Sequence, residues 1–366
     1  MLLEHVEEPF PVRRVLPKFP STRYQGSKRK ILAPLASALQ NIPFNSALDL
    51  YSGSGVVTLL LRHLKKNVDA NDFQRYNCNT AHLFLRLKDV DIGNIPYRND
   101  LAELLKTTPS TAKKSVANNY QGIFFTDEEN IEIDHFCQNV SHLDEPRRRL
   151  YIHAVGQALM KKRPYNLFHR ANLSMRKKDV QRSFGNAVTW ETSILDHAVK
   201  AIAELEAFPF FESAPGGTAF CQNTSDLSGF PTHHDLVYLD PPYLNSKGSG
   251  VDYSDFYGFL DGLCDYDLFD QGDASYPHKP IGKKTSDWQN PETALEQLVN
   301  IGKHWSSSIL FMSYRSDGCI SPQQIIEALS TGGRRTQSHS CGEYKYALSR
   351  PSTNEELFLI SYPAGA

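Results

Sequence analysis

The chain has 366 residues, a length that at roughly 150 residues per domain makes two domains or one domain with large insertions. It is 40% hydrophobic and 22% charged, with 22 Gly and 21 Pro, an ordinary composition for a soluble globular protein that excludes collagen-like and low-complexity classes. Lys and Arg number 39 against 41 Asp and Glu, a net charge of −2, so any surface for nucleic acid or membrane has to be local.

Residues 1–20 carry four prolines and read as an irregular leader. Residues 27–39 read as a helix with Ile31, Leu32, Leu35 and Leu39 on one face. Residues 47–51 form a short buried strand running into Ser52-Gly53-Ser54-Gly55. A helix restarts over 56–64, and a second strand over 67–71 ends in Asp72. Strand, glycine turn, helix, strand and acid make the first half of a parallel α/β sheet. No strand pattern is convincing between 74 and 215; residues 147–162 and 192–207 read as helices and 174–189 as an exposed loop. The sheet signal returns at 235–239, 308–312 and 356–360. The expected fold is therefore α/β, with a sheet domain (1–74 and 216–366) interrupted by a large, mainly helical insertion (75–215).

Six cysteines without a CxxC pair are expected to be reduced thiols, and no metal site is expected. The acidic N-terminus is unlike a signal peptide, and no apolar run approaches the ~20 residues of a membrane span. The chain is read as soluble and cytoplasmic, with no membrane partner.

Two constellations carry chemistry. In Asp49-Leu-Tyr-Ser-Gly-Ser-Gly55, a strand ends in small residues that let the backbone approach a ligand, and the next helix offers free N–H groups. Asp72, after the following strand, is placed for the ribose hydroxyls of an adenosine. The missing third glycine argues against a dinucleotide, and the missing Gly-Lys-Ser/Thr against a phosphate-binding loop. The second constellation is Asp240-Pro241-Pro242-Tyr243, directly after a buried strand. A carboxylate, a carbonyl fixed by proline and an aromatic face are what an exocyclic amine on a planar base requires.

Charge is uneven along the chain. Residues 146–182 hold eleven Lys and Arg against the single acid Asp179, a net of +10, interleaved with Tyr165, Phe168, His169 and Asn172. That mixture suits phosphate and base contacts. Arg170 and Asn172 are the candidates for base edges; Arg176, Lys177 and Lys178 are those for phosphates, with Arg182 in the same run. Residues 248–278, with seven aspartates and no Lys or Arg, read as a solvated loop rather than a metal site.

These residues resemble the D12 class of DNA adenine N6-methyltransferases. Arg23-Tyr-Gln-Gly-Ser-Lys-Arg-Lys30, the two constellations above and, more loosely, Ala219-Phe-Cys-Gln-Asn-Thr-Ser-Asp226 stand in the family's order. Phe311-Met-Ser-Tyr-Arg-Ser-Asp317 is similar to the strand and loop lining the family's target pocket. The resemblance implies a class I (Rossmann-like) methyltransferase sheet, S-adenosylmethionine as methyl donor, and double-stranded DNA bound by the helical insertion. It places Tyr24 and Lys28 at the donor's methionine end, Ser52, Gly53, Ser54 and Gly55 beneath it, Asp72 on its ribose and Phe220 beside its adenine. Asp49 and Asp226 join the cofactor set, and Asp240 stands between donor and target amine. The expected reaction is site-specific methylation of a flipped adenine. Another exocyclic amine as target, a catalytically silent DNA-binding module and a cognate restriction endonuclease as partner stay open at this point.

Overall fold

The computed structural model describes residues 18–110, 113–179, 186–209, 216–243, 252–282, 286–316, 318–343 and 355–365. In chain order, α1 (Leu32–Gln40), β1 (Ser46–Asp49), α2 (Val56–His63), β2 (Asn67–Asn71) and α3 (Arg75–Arg86) come first. Seven helices follow: α4 (Tyr97–Lys106), α5 (Ser115–Asn119), α6 (Asp127–Val140), α7 (Glu145–Lys161), α8 (Leu173–Lys177), α9 (Asn186–Glu191) and α10 (Ile194–Glu206). The sheet then resumes with β3 (Ala219–Phe220) and β4 (Leu236–Leu239), followed by α11 (Tyr253–Cys264) and α12 (Pro291–His304). The last elements are β5 (Ile309–Arg315), α13 (Pro322–Leu329), β6 (Arg335–Glu343) and β7 (Glu355–Tyr362).

One seven-stranded sheet runs β3-β2-β1-β4-β5-β7-β6. Strands β1 to β5 pair in parallel, while β7 is antiparallel to both β5 and β6. Strand residues alternate between two cores, as a period of two requires. Ala47, Val68, Ala70, Leu236, Tyr238 and Phe311 face α1 to α3 and the helical insertion. Leu48, Leu50, Val237, Leu239, Leu310 and Met312 face α12 and α13. This is the α/β architecture expected. None of the helices among the described residues is long and apolar enough to cross a membrane.

Helix α7 anchors the insertion. Asp144 caps it by accepting from the Arg147 N–H, and every residue from Leu150 to Met160 is buried. A helix apolar on all sides belongs at the centre of a core, and α7 packs on α3, α10 and α11. Because α3 also packs on β2 and β3, the insertion shares one continuous core with the sheet. A domain boundary at residue 74 is therefore not a packing boundary.

Two expectations are corrected by the structure, and one strand is added. The helix expected from 27 begins as a 3-10 turn (Lys28–Ile31), and α1 proper starts at Leu32. Part of the loop expected over 174–189 is helical, in α8 and α9. Strand β6, Arg-Thr-Gln-Ser-His-Ser-Cys-Gly-Glu, escapes a hydrophobicity reading because an edge strand with a wet face needs no apolar run.

Candidate active site

Strands β1 and β4 are parallel neighbours, with Asp49 opposite Tyr238, so the chain leaves both at the same edge of the sheet. Strand order runs outward from β1 through β2 to β3 and, on the other side, from β4 to β5. Such a switch point leaves a crevice beyond the carboxyl ends of the strands. A cleft of about 850 Å³ opens there, lined by Ser52, Gly53, Ser54, Asp72, Asn223, all four residues from Asp240 to Tyr243, and Tyr24 and Lys28.

One side of the cleft is built by backbone turns. The Ser52 N–H donates to the Asn71 carbonyl at 2.8 Å and the Gly55 N–H to the Ser52 carbonyl at 2.7 Å. Gly55 has φ +72°, and a Cβ there would lie 2.6 Å from the Phe84 ring, so only glycine fits. The Asp72 carboxylate accepts from the Gly53 and Gln74 N–H groups, both at 2.9 Å, which fixes it as the floor. Tyr24 stacks on Tyr257 at 4.2 Å and on Tyr253 at 5.6 Å between ring centroids. Among the described residues, Ser52 Oγ and Gln25 Oε1 are buried without a hydrogen-bond partner. A buried polar atom without a partner is costly, and these two border the cleft, where an entering group can pair with them.

The other side is an ionic cluster. The Lys28 ammonium lies 2.7 Å from Asp240 Oδ1 and 3.4 Å from Glu356 Oε1, and donates to the Tyr243 hydroxyl at 2.7 Å. That hydroxyl is in turn 2.8 Å from Asp240 Oδ1, 3.1 Å from Glu356 Oε1 and 3.3 Å from the Ser313 carbonyl. Burial pulls the Lys28 pKa down, but Asp240 and Glu356 outweigh it and hold the group protonated above the usual lysine value. Burial pushes the Asp240 pKa up, against the opposing pull of Lys28. Tyr314 of β5 packs edge-on against Tyr243 at 5.4 Å.

Of the residues expected here, Tyr24, Ser52, Gly53, Ser54, Asp72 and the four from Asp240 to Tyr243 line one cleft, with Gly55 shaping the turn. Lys28 lines it too, but its ammonium is directed at Asp240 and Tyr243. Three residues fall outside the lining. Asp49 is fully buried and accepts from the Thr58 hydroxyl at 2.6 Å, tying β1 to α2. Phe220 packs against Phe230 at 5.6 Å within the second core. Asp226 caps a turn through Ser228. In that stretch it is Gln222, Asn223 and Thr224 that reach the cleft.

Residue patterns did not flag Tyr51, Phe73, Trp288 or Glu356. Tyr51 and Trp288 form an aromatic wall, the Trp288 indole N–H donating to the Tyr51 hydroxyl at 3.1 Å. Trp288 follows the cleft motif by more than forty residues, so spacing alone carries no signal. For Glu356 there was one: a charge at the start of an otherwise apolar strand.

The basic and acidic stretches are both redrawn. Asn172 is buried and bonds to Arg163, and Arg176 makes a two-pronged pair with Glu129, 2.8 Å at each prong. Lys162 joins the same carboxylate at 2.9 Å. Arg163 is 1% exposed and donates to the carbonyls of Leu167, Phe124 and Arg170, with its pKa pulled down by burial to about 9. Asn172 and Arg176 thus hold the insertion together instead of facing DNA, while Arg170, Lys177 and Lys178 are exposed. Arg182 lies outside the described residues. Among its described residues the acidic stretch is a solvated loop only in part: Asp252 caps α11 and Asp261 accepts from the Tyr76 N–H, while Asp267 and Asp270, both exposed, pair with Lys113.

No curated protein matches the chain in a sequence search. The family model for D12 class N6 adenine-specific DNA methyltransferases matches residues 24–261, from Tyr24 of the cleft to α11, beyond Asp240-Pro241-Pro242-Tyr243. That match spans well over half of the chain and contains the turn from Ser52 to Gly55, Asp72 and the residues from Asp240 to Tyr243, and the sheet order is that of the class I methyltransferase fold, so the chain belongs to the D12 class of N6 adenine-specific DNA methyltransferases.

Proposed function

We propose that the protein transfers a methyl group from S-adenosylmethionine to the N6 amine of an adenine flipped out of duplex DNA, at a specific sequence. The observation that carries this reading is the joining, in one cleft, of a polar floor, made by Asp72 and the unpartnered Ser52 hydroxyl, with the acceptor set at Asp240 and Pro241. When bound, S-adenosylmethionine supplies an electrophilic methyl on a sulfonium. Asp72 would accept its ribose hydroxyls, the turn from Ser52 to Gly55 would lie beneath it, and Tyr24, Phe73 and Tyr51 would wall it.

The N6 lone pair of adenine is conjugated into the ring and is a weak nucleophile. Hydrogen bonds from its two protons to Asp240 and the Pro241 carbonyl would localise that pair, so the protein's main contribution is positioning. Tyr243 offers the aromatic face for the extruded base. Asp240 receives the proton released as the nitrogen is alkylated, a role suited to a carboxylate whose pKa is raised by burial. DNA would be held by the helical insertion, with Arg170, Lys177 and Lys178 on its exposed surface. Tyr165, 59% exposed at φ +61° in the loop that Arg163 braces, is a strained aromatic suited to base contact.

The test is methylation of unmodified duplex DNA in vitro, followed by single-molecule sequencing that reads N6-methyladenine. One recurrent sequence context is expected; scattered or absent methylation would contradict the reading.

A further inference from the structure

Among the described residues, Lys28 and Glu356 are buried groups of the cleft cluster to which the reading above gives no role, and of the two Glu356 is the carboxylate. It stands opposite Arg315 in the β5–β7 pairing and is 1% exposed. The four residues after it, Leu357 to Ile360, are apolar and buried, so packing alone favours an apolar residue there too. Burying a carboxylate is unfavourable unless it is paired and hydrogen-bonded. Glu356 reaches the Tyr243 hydroxyl at 3.1 Å and the Lys28 ammonium at 3.4 Å.

Lys28 therefore serves two carboxylates. Among the described residues, one ammonium stands against both Asp240 and Glu356 at the end of β4, two carboxylates to one lysine. With Asp240 as sole counter-ion the pair would be neutral, and the lysine would compete with the substrate for the Asp240 oxygens. The proposed reaction brings positive charge to this place, first on the sulfonium and then on the alkylated nitrogen. A preorganised negative cluster stabilises that charge without reorganising.

We propose that Glu356 is a positioning residue: by sharing Lys28 and Tyr243 it keeps Asp240 available to the target amine and adds a second negative charge beside it. The inference rests on the methyl-transfer reading above. The groups facing Asp240 are Lys28, Tyr243 and Glu356, with Asp49, Tyr238 and Tyr253 behind them. Those facing Glu356 are Lys28, Tyr243, Asp240, Tyr238 and Cys341, with Arg315 opposite it across the β5–β7 pairing. Burial and Glu356 both raise the Asp240 pKa, so removing the Glu356 charge moves it down.

The test compares wild type, Glu356→Gln and Glu356→Asp. Calorimetry gives affinities for S-adenosylmethionine and for its uncharged thioether product, S-adenosylhomocysteine, and steady-state kinetics give kcat, KM and the pH profile. Glu356→Gln is expected to lower kcat roughly tenfold with little change in the DNA KM, as loss of a preorganised charge does. Its preference for the sulfonium over the thioether should shrink several-fold, and the acid limb of its kcat/KM profile should move to lower pH. Glu356→Asp, which keeps the charge, should hold the limb near its wild-type position. An unchanged kcat, ligand ratio and limb in Glu356→Gln would overturn the proposal. So would an equal loss of affinity for both ligands with the limb unmoved, the mark of a merely structural residue. If Glu356→Gln does not fold, Glu356→Asp decides, and loss of the fold in both also assigns a structural role. A wild-type protein that methylates no adenine would sink the methyl-transfer reading instead, whatever the Glu356 variants do.

Discussion

At the carboxyl edge of the sheet, residues adjacent in sequence act together: Asp240, Pro241, Pro242 and Tyr243 all line the cleft. In the helical insertion, neighbours part company. Arg176 turns inward to Glu129, while Lys177 beside it is exposed. The difference is one of what sets direction. After a strand, backbone topology delivers every residue of a short motif to the same crevice. On a helix, direction changes by about 100° per residue, and tertiary packing decides which cations become structural. A run of charge is therefore weaker evidence for a surface than a run of motif is for a site.

That contrast can be broken first at the cleft. Asp240→Ala should retain the fold and lose adenine methylation by about 10³-fold or more, because the acceptor and proton sink vanish while β4 stays packed. Circular dichroism beside a methyl-transfer assay checks both halves. In the insertion the loss should be of stability. Glu129→Ala leaves Lys162 and Arg176 without their shared carboxylate and should cost about 3–5 kcal/mol in urea unfolding.

Asp49 sharpens the comparison from inside the cofactor motif. Burial raises its pKa to about 7, above the ~3.9 of an unfolded aspartate. Between those values the native state binds more protons than the unfolded one, so stability falls as pH rises through this window and the full penalty stands above it. Asp49→Asn keeps an acceptor for Thr58 and should stabilise the protein by on the order of 2–4 kcal/mol at pH 8. The gain should fade as the pH approaches 4.

Asp72→Ala should weaken S-adenosylmethionine binding by ~1.5–3 kcal/mol, read by calorimetry, if its carboxylate bonds the ribose. The smallest effect is expected on the insertion's surface. Lys177→Gln with Lys178→Gln should lower the slope of log affinity against log salt by about 0.9 for each duplex phosphate that is no longer neutralised. S-adenosylmethionine affinity should be unaffected. An unmoved slope would place the DNA surface elsewhere.

Much of the cleft was legible because its parts are short, contiguous and tied to strand ends. The glycines of 52–55 announce a close backbone approach, and Pro241 and Pro242 announce a rigid turn. What was not legible depends on distant partners. Trp288 reaches the cleft from α12's approach, and Glu356 reaches Lys28 and Tyr243 from β7, elements far along the chain whose placement only the completed sheet determines. Phe220 and Asp226 were misplaced by a register of a few residues: β3 is only two residues long, and the cleft is met by the loop after it. The aspartates of 248–278 look solvated in sequence, yet each of Asp252, Asp255, Asp261, Asp267 and Asp270 has a partner that only folding supplies.

The central claim is that the Ser52–Asp72 floor and the Asp240 carboxylate serve one reaction, the floor holding the methyl donor and Asp240 the target adenine. Its most direct test incubates wild type and Asp240→Ala with methyl-labelled S-adenosylmethionine and unmodified duplex DNA, then digests the DNA for nucleoside mass spectrometry. Label is expected in N6-methyladenine with the wild type and is expected to be absent with Asp240→Ala, whose affinity for S-adenosylmethionine should persist. Label in N4-methylcytosine, or N6-methyladenine still formed by Asp240→Ala at more than a trace, would contradict the account.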